Sequence, residues 1–246
     1  MKAPMRAMIL AAGLGTRLRP LTNDRPKALV EVGGRTKLEI ALARLRSFGV
    51  TDVIVNAHHF APMIVNYLQA HDNFGMRIEV SLEDVLLDTG GGLKKAAHFF
   101  LENSSGGAEP FLLHNVDVIS DIDLHKMLQF HLDRRALATL AVQQRPSSRL
   151  LLFDQSLQLC GRRPGPGQPD QIVRPAHPLQ PLAFCGIHII SPRMLALMTE
   201  EGVFSIISTY LRLASAGEPI LAFRADEYRW RDLGKPADLA QAAQDL

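Results

Sequence analysis

The sequence predicts an α/β protein with a doubly wound, mainly parallel mixed sheet and helices on both faces. Three observations predict it. Short apolar runs alternate with segments of helical periodicity in the first half of the chain, a pattern typical of βαβ units. The first apolar run ends in a glycine loop, as expected at the end of a buried strand. The 246 residues are sufficient for one large domain.

The spacing of apolar residues defines the elements of the first half. Runs of strand length occupy residues 5–10, 52–56, 77–82 and 111–115. Leu38, Leu42 and Leu45 recur at helical spacing, and Gly49 ends that helix. Two further helices are predicted at residues 63–69 and 92–101. Strands and helices therefore alternate, the order that places parallel strands side by side.

The pattern changes after a helix at residues 124–132, for which Asp121 and Asp123 are the candidate N-caps. Strands are predicted at residues 136–143, 150–153, 157–160 and 182–190, with little helix between them. Residues 161–181 are rich in proline and glycine, which favours a loop or an irregular lid. Helices at 192–198 and 204–214, strands at 220–223 and 228–231, and a helix from Pro236 complete the chain. This pattern predicts one domain with a mixed C-terminal extension of the sheet.

Composition and charge narrow the classes of function. Apolar residues make up 47% of the chain and the net charge is +2, so we expect neither nucleic acid nor an anionic membrane as a partner. The pairs Arg134-Arg135 and Arg162-Arg163 are typical of solvated surface. No apolar stretch reaches the roughly 20 residues of a membrane helix, and no signal peptide is recognisable, so we expect a cytoplasmic protein. Cys160 and Cys185 are too few for a disulfide framework or a zinc site.

A glycine loop follows the first predicted strand, where an open α/β sheet has its ligand crevice. Gly13 and Gly15 allow backbone N–H groups to approach a polyphosphate. A dinucleotide-binding fingerprint requires glycine where Leu18 stands, which argues against a nicotinamide-dependent oxidoreductase, and the GxxxxGK[ST] mononucleotide loop is absent. Arg17 and Lys27 instead supply positive charge suited to phosphate.

The string GxGTRLxP from Gly13, followed by Pro26-Lys27 and by VEVGG at residues 30–34, resembles the N-terminal signature of the sugar-1-phosphate nucleotidyltransferases. The resemblance implies the Rossmann-like nucleotide-diphospho-sugar transferase fold and a divalent cation, usually Mg²⁺. It implies a nucleoside triphosphate and a sugar 1-phosphate as substrates. By this resemblance Arg17 would bind the leaving pyrophosphate and Lys27 the α-phosphate. The nucleotide would bind to the loop residues Leu10, Ala11, Ala12, Gly13, Gly15 and Thr16.

Two aspartates that lie far apart in the sequence are candidate magnesium ligands. Asp117 follows the buried strand at 111–115, so it would face the same crevice as the glycine loop. Asp232 follows another predicted strand, in the string WRDLG. Magnesium takes one or two carboxylates together with phosphate oxygens and water. The resemblance makes Asp117 and Asp232 the metal ligands, with Asp117 also catalytic beside Arg17 and Lys27.

Glu83, Thr89 and Gly90 match the segment with which the family recognises the base. A carboxylate can accept from the N3–H group of uracil or thymine, and equally from guanine, so this chemistry leaves the base open. The string LDTGGG at residues 87–92 is especially similar to uridylyltransferases that act on N-acetylmuramate 1-phosphate in the recycling of the cell wall. Guanylyltransferases commonly carry LGTAG, from which Asp88 departs. We expect UTP with an amino-sugar or N-acetylmuramate 1-phosphate, and the alternative is guanylyl transfer to mannose or heptose 1-phosphate.

The acceptor half resembles the family less closely. The resemblance implies that Asn115, Gly186 and Arg174 bind the sugar phosphate, with Arg174 standing where many relatives have the lysine of Glu-Lys-Pro. Within a single domain of residues 1–246, about residues 1–120 would form the nucleotide-binding half and about residues 121–246 the sugar-phosphate-binding half. A non-catalytic regulatory homologue that binds a nucleotide sugar is a further alternative, and a homo-oligomer is compatible with the sequence. An enzyme is favoured over such a regulatory homologue, because a module that only binds would not need all four charged site residues, Arg17, Lys27, Asp117 and Asp232.

Overall fold

A ten-stranded mixed sheet with packed cores on both faces organises the computed structural model, which describes residues 5–101 and 109–243. The strands of the protein are β1 (Arg6–Leu10), β2 (Glu31–Val32), β3 (Arg35–Thr36), β4 (Asp52–Ala57), β5 (Arg77–Leu82), β6 (Phe111–Asn115), β7 (Val118–Ser120), β8 (Ala138–Gln143), β9 (Leu150–Phe153), β10 (Leu159–Arg163), β11 (Gln171–Ile172), β12 (Gln180–Ile190), β13 (Ile220–Arg224) and β14 (Trp230–Asp232). The helices are α1 (Lys37–Ser47), α2 (Ala61–Ala70), α3 (Asp88–Lys95), α4 (Ala97–Leu101), α5 (Leu124–Asp133), α6 (Arg193–Leu197), α7 (Ile206–Ser215) and α8 (Pro236–Ala242). The predicted α/β class with a mainly parallel mixed sheet is confirmed.

The parallel part of the sheet has the order β5-β4-β1-β6. From β1 the chain moves outward to β4 and β5 on one side, and then returns to place β6 on the other side of β1. This change of direction is a topological switch point, beside which open α/β sheets bind their ligands at the carboxyl ends of the strands. The loop after β1 and the residues after β6 therefore meet at one crevice.

Alternation along the central strand explains why both faces are covered. Ala7 and Ile9 of β1 belong to one buried core and Met8 and Leu10 to the other. Because successive side chains of a strand point to opposite faces, a strand that is apolar from residue 7 to residue 10 requires a packed layer on each side. Helices α1, α2 and α5 contribute to the first core and α3, α4 and α7 to the second.

The second half of the chain extends the sheet through the long strand β12. Its last residues pair antiparallel with β6 and β8, while its first residues pair with β9. Strand β13 runs parallel to β8, and β9, β10 and β11 form an antiparallel extension. The predicted mixed extension of the sheet is confirmed. Within the segment predicted as a loop or lid, β10 continues to Arg163 and β11 adds a short strand.

Two local predictions are corrected by the structure. The helix predicted at residues 92–101 begins four residues earlier, at Asp88, and consists of α3 and α4. Gly90 to Gly92 argue against helix by propensity, but neighbouring chain segments pack so closely that side chains here would collide with them. Of the two candidate N-caps, Asp123 caps α5, and Asp121 pairs with Arg229 instead.

Strand β14 overlaps the strand predicted at residues 228–231, whereas its partner β7 and the pair β2–β3 were not predicted, because strands of two or three residues show no alternation of apolar and polar positions. Cys160 and Cys185 are both buried free thiols, as expected for two cysteines without shared chemistry. In the described ranges, no helix combines the length and the apolar character that a membrane span requires.

Candidate active site

An ion pair lies at the switch point of the sheet. Asp117 follows β6, and Lys27 comes from the short 3₁₀ turn Lys27–Leu29; the Lys27 Nζ atom donates to Asp117 Oδ2 at 3.0 Å. Their side chains are 16% and 13% exposed, respectively, so the pair lies at the floor of a crevice rather than on open surface. The predicted phosphate-binding lysine and the predicted metal-binding aspartate are therefore in direct contact.

The glycines of the loop make room for Lys27. A Cβ atom on Gly13 would lie 3.1 Å from the Lys27 Nζ atom. Gly15 has a left-handed φ of +65°, and a Cβ atom there would lie 2.9 Å from Lys27 Cβ. These glycines allow the loop after β1 to lie against the lysine side chain. The Ala11 N–H group donates to Asn56 Oδ1 at 2.7 Å, which fixes the start of the loop.

The pairing of β7 with β14 brings the second aspartate to the first. Asp232 pairs with Val118, the residue after Asp117, and the Leu233 N–H group donates to the Asp117 carbonyl at 2.8 Å. A Cβ atom on Gly234 would lie 2.5 Å from Arg17 Nη2 and 2.8 Å from Asp232 Oδ1, so Arg17 and Asp232 flank this glycine. Residues from both ends of the chain are thus placed around one point.

A lysine that the sequence analysis missed supports this arrangement. Lys37, at the start of α1, is only 1% exposed, and its Nζ atom donates to the Leu233 carbonyl at 2.6 Å. Burial lowers the pKa of Lys37 to about 8, against the opposing effect of Asp117 and Asp232. The group stays cationic at neutral pH and holds the turn after β14. Nothing in the sequence distinguishes this lysine from an exposed residue at the start of a helix.

Asp117 remains ionised despite its burial. Burial alone would raise the pKa of the Asp117 carboxyl group. The charge and hydrogen bond of Lys27, together with the charge of Lys37, lower this pKa by more than burial raises it. The pKa therefore lies below the usual value for aspartate. A carboxylate held ionised beside Lys27 can accept a divalent ion when a phosphate group takes over the contact with this lysine.

A cleft of about 640 Å³ opens over this point. Five of the predicted site residues line it: Arg17, Asn115, Asp117, Gly186 and Asp232. Lys27 joins them through its ion pair with Asp117. Arg174 does not line the cleft; its N–H group donates to the Cys160 carbonyl at 3.1 Å. Arg162 and Arg163, interpreted from the sequence as solvated surface, do line it, together with Arg145 and Arg149, which the sequence analysis did not single out.

Glu83 connects three segments around the nucleotide side. The residue is 5% exposed; its Oε1 atom accepts from Asn56 Nδ2 at 2.7 Å and its Oε2 atom from the Leu87 N–H group at 3.0 Å. The Asn56 side-chain oxygen in turn accepts hydrogen bonds from the N–H groups of Ala11 and Ala12 in the loop after β1. The Glu83 carboxylate is therefore linked to that loop. Asn56 was not predicted as a site residue, although its position at the end of β4 was an available signal.

Thr89 and Gly90 contact the start of α7. The Thr89 Oγ1 atom accepts from the Ile206 N–H group at 3.0 Å, and the Gly90 N–H group donates to the Phe204 carbonyl at 2.9 Å. The first turn of α3 is thereby joined to the segment that leads into α7. These bonds fix the backbone of the predicted base-binding segment.

Gly186 and Asn115 form a close contact beneath the acceptor side of the cleft. Gly186 has a φ of +74°, and a Cβ atom there would lie 2.7 Å from Asn115 Nδ2. Both the backbone conformation and the neighbouring amide therefore require glycine at this position. The two predicted sugar-phosphate residues are brought together on adjacent strands, β6 and β12.

The carboxylates fit magnesium by their chemistry. Among residues 5–101 and 109–243, no group of three or more histidine, cysteine, aspartate or glutamate side chains could hold a metal ion by itself. Asp117 and Asp232 provide two oxygen donors on the adjacent strand ends of β7 and β14. Magnesium is suited to such a pair when substrate phosphates complete its coordination.

The family described as "Nucleotidyl transferase" matches residues 6–157 of this chain. The chain belongs to that family. An N-acetylmuramate alpha-1-phosphate uridylyltransferase of Caulobacter vibrioides is 36% identical to this nucleotidyltransferase. The match covers 99% of this chain and 98% of the relative. A mannose-1-phosphate guanyltransferase of Yarrowia lipolytica is 29% identical over 95% of the chain, which spans only 62% of that relative.

A solved structure supports the same fold. A candidate glucose-1-phosphate thymidylyltransferase from Bacillus anthracis, in complex with sucrose, superposes on this nucleotidyltransferase with a TM-score of 0.80 and 17% identity. The match covers 98% of this chain and 96% of the other. Together with the sequence relatives, it confirms the sequence-based assignment: the protein is a sugar-1-phosphate nucleotidyltransferase of the nucleotide-diphospho-sugar transferase fold.

Proposed function

We propose that this nucleotidyltransferase joins UTP to N-acetylmuramate 1-phosphate or a related amino-sugar 1-phosphate, releasing pyrophosphate. The observation that carries the proposal is the meeting of Arg17, Lys27, Asp117 and Asp232 at one end of the sheet. The choice of substrates is supported by the 36% identical Caulobacter relative, which matches over nearly its whole length. Because both substrates are ionic metabolites, the proposal places the reaction in the cytoplasm.

The reaction is an in-line displacement at phosphorus. An oxygen of the sugar phosphate forms a bond to the α-phosphorus of UTP, and the bond from that phosphorus to the β-phosphate oxygen breaks, with pyrophosphate as the leaving group. A phosphate monoester has a second pKa near 6 and is largely a dianion at neutral pH, so the attacking oxygen needs no general base. The protein therefore has to position the two phosphates and offset their charge.

The basic residues of the site carry out these two tasks. Lys27 would contact the α-phosphate from its place beside Asp117, and Arg17 would contact the leaving pyrophosphate from its place against Gly234. Asp117 and Asp232 would hold magnesium. When bound, Mg²⁺ supplies positive charge that offsets the charge building on the phosphate oxygens. The loop of residues 10–16 would bind the nucleotide along its backbone.

The remaining contacts divide between base and sugar. Since the Glu83 carboxylate and the Thr89 hydroxyl already accept hydrogen bonds within the protein, we assign them, with Gly90, to fixing the backbone around the base. Asn115 and Gly186 would face the sugar phosphate. Arg174 lies outside the residues that line the cleft, which argues against a direct contact between Arg174 and the acceptor.

A pyrophosphate-release screen tests the proposal. UTP, GTP, CTP and dTTP are each combined with the 1-phosphates of N-acetylmuramate, N-acetylglucosamine, mannose and heptose in the presence of Mg²⁺. We expect the highest kcat/KM for UTP with N-acetylmuramate 1-phosphate. Dominant turnover of GTP with mannose or heptose 1-phosphate would overturn the uridylyl assignment in favour of the guanylyl alternative. Binding of nucleotide sugar without any turnover would favour a regulatory homologue.

A further inference from the structure

The positively charged side chains that line the cleft outnumber the negatively charged ones. The described lining of the cleft holds five arginines and two carboxylates, Asp117 and Asp232. Four of the arginines come from the second half of the chain, and their positions are Arg145, Arg149, Arg162 and Arg163. Arg163 is neutralised by an ion pair with Asp170, and Arg162 Nε donates to the Gln171 side chain. Arg162 keeps its net charge but already uses its Nε–H group on a neutral amide, whereas Arg145 and Arg149, on the connection between β8 and β9, have no carboxylate partner in the described ranges.

Arg145 is fixed in place before any ligand binds. Its guanidinium carbon lies 3.7 Å from the centre of the Trp230 ring, and its Nη2 atom donates to the Phe184 carbonyl at 2.8 Å. The indole N–H group of Trp230 donates to the Cys185 carbonyl at 2.7 Å. A guanidinium held between an aromatic ring and a strand carbonyl loses little conformational freedom when it binds an anion. Its Nε atom is buried and has no hydrogen-bond partner in the described ranges.

Arg149 provides a second guanidinium group, which is not engaged by other side chains in the described ranges. The residue is exposed and lines the same cleft, and its side chain makes no hydrogen bond or ion pair with any residue in 5–101 or 109–243. The two arginines are four residues apart on one connection. One rigid and one free guanidinium on the same wall form a suitable site for a carboxylate, which accepts paired N–H bonds from arginine.

The position of this wall separates it from the reacting phosphates. Trp230 and Asp232 are two residues apart on β14, so they lie on one face of the strand and are separated by roughly 7 Å along it. Arg145 covers Trp230 and bonds to Phe184, next to the strand segment with Gly186. An anion at Arg145 is thus beside the sugar subsite, at some distance from the magnesium carboxylate.

We propose that Arg145 and Arg149 form a carboxylate subsite, and that this subsite selects a sugar 1-phosphate whose ring substituent bears a carboxylate. The inference rests on the proposed function and deepens it. N-acetylmuramate 1-phosphate carries such a group on its lactyl ether, and N-acetylglucosamine 1-phosphate is the same sugar without it. The two acceptors therefore differ only by the lactyl group, which carries the carboxylate that the arginines would bind.

The test compares both acceptors, with UTP, in the wild-type enzyme and in Arg149→Gln. The arginine is exposed and without internal partners, so its loss should leave the melting temperature unchanged. We expect kcat/KM for N-acetylmuramate 1-phosphate to fall about 10- to 100-fold, mainly through KM, as for loss of a charged hydrogen bond. Turnover of N-acetylglucosamine 1-phosphate should stay within about threefold. Arg145→Lys, which keeps the charge and loses the paired N–H geometry, should change the ratio in the same direction.

Arg134→Gln serves as the matched control, because this exposed arginine at the end of α5 lies over the Phe130 ring, outside the cleft, and its replacement removes the same single positive charge. This control variant should leave kcat/KM unchanged for both acceptors. An equal loss on both acceptors in Arg149→Gln would show that the arginine binds the common phosphate and would overturn the carboxylate subsite, as would no loss on either. The proposed function would survive both results. If the wild-type enzyme used UTP with neither acceptor, the proposed function would fail and the subsite with it.

Discussion

At the scale of single residues, the site depends on charges that are paired before substrate arrives. The Lys27 ammonium and the Asp117 carboxylate satisfy one another at 3.0 Å, and the hydrogen bond from Lys37 holds the turn after β14 beside them. A substrate phosphate competes with Asp117 for Lys27, while a metal ion competes with Lys27 for Asp117. Binding of both partners together therefore leaves no charge uncompensated, whereas binding of one alone does.

Lys27→Ala tests this residue directly. We expect the rate of pyrophosphate release to fall about 100- to 1000-fold, because removal of one group that offsets transition-state charge typically has this cost. The fold should persist, since Lys37 still supplies positive charge near Asp117. Steady-state kinetics and thermal melting provide the two readouts. The control is Arg25→Ala, which removes an exposed arginine paired with its neighbour Asp24. Activity within a few-fold of wild type in Lys27→Ala would remove the assignment.

At the scale of elements, close backbone packing around α3 determines how the nucleotide side is built. The helix begins at Asp88 and runs through three glycines that propensity disfavours. The loop after β5 and the end of β4 approach it where Glu83 bonds to Asn56. The position of α3 therefore depends on the absence of side chains at its first turns.

Gly92→Ala separates packing from propensity. In an isolated helix alanine would be more stable than glycine by about 1 kcal/mol. Here the added Cβ atom would lie 2.8 Å from both Asn56 Nδ2 and Glu83 Oε1, and overpacking of a buried site typically costs about 1–3 kcal/mol. We therefore expect a net loss of stability and a lower melting temperature by calorimetry. A melting temperature equal to or above that of the wild type would contradict this account of α3.

Sequence patterns predicted the elements whose own residues determine them. The strands β5 and β6 match their predicted bounds, because their apolar pattern and flanking residues are local signals. Motifs likewise pointed to Arg17, Lys27, Asp117 and Asp232, which the fold brings to one cleft. No motif pointed to Lys37 or Arg145, because their hydrogen-bond partners lie on distant segments, after β14 and on β12 respectively. The hydrogen bond between Glu83 and Asn56 was not predicted for the same reason. Such contacts between distant segments have no signature in a short window of sequence.

At the scale of the whole molecule, three neutral histidines are enclosed by the sheet and its helices. Burial lowers the pKa of His114 and of His131 to about 4 and that of His188 to about 3. His131 bonds to Thr139, and His188 bonds to Tyr210. The unfolded chain, with a histidine pKa near 6.5, binds these protons first as the pH falls. Stability is therefore full above about pH 6.5 and is lost as the pH drops toward 4.

Urea unfolding between pH 7 and pH 4.5 measures this dependence. The expected fall in the free energy of unfolding approaches about 1.4 kcal/mol per pH unit for each histidine. Replacing His131 by Gln should reduce the slope by about one proton equivalent, whatever its effect on stability at pH 7. A slope unaffected by His131→Gln would show that other groups cause the acid sensitivity.

The central claim is that Asp117 and Asp232 hold one divalent ion at the phosphates of a bound nucleotide beside Lys27 and Arg17. A crystal structure with UTP and Mn²⁺, in which the ion is located by its anomalous signal, tests that claim most directly. The account predicts a single site ligated by both carboxylates and by an α-phosphate oxygen. An ion bound away from either aspartate would contradict it.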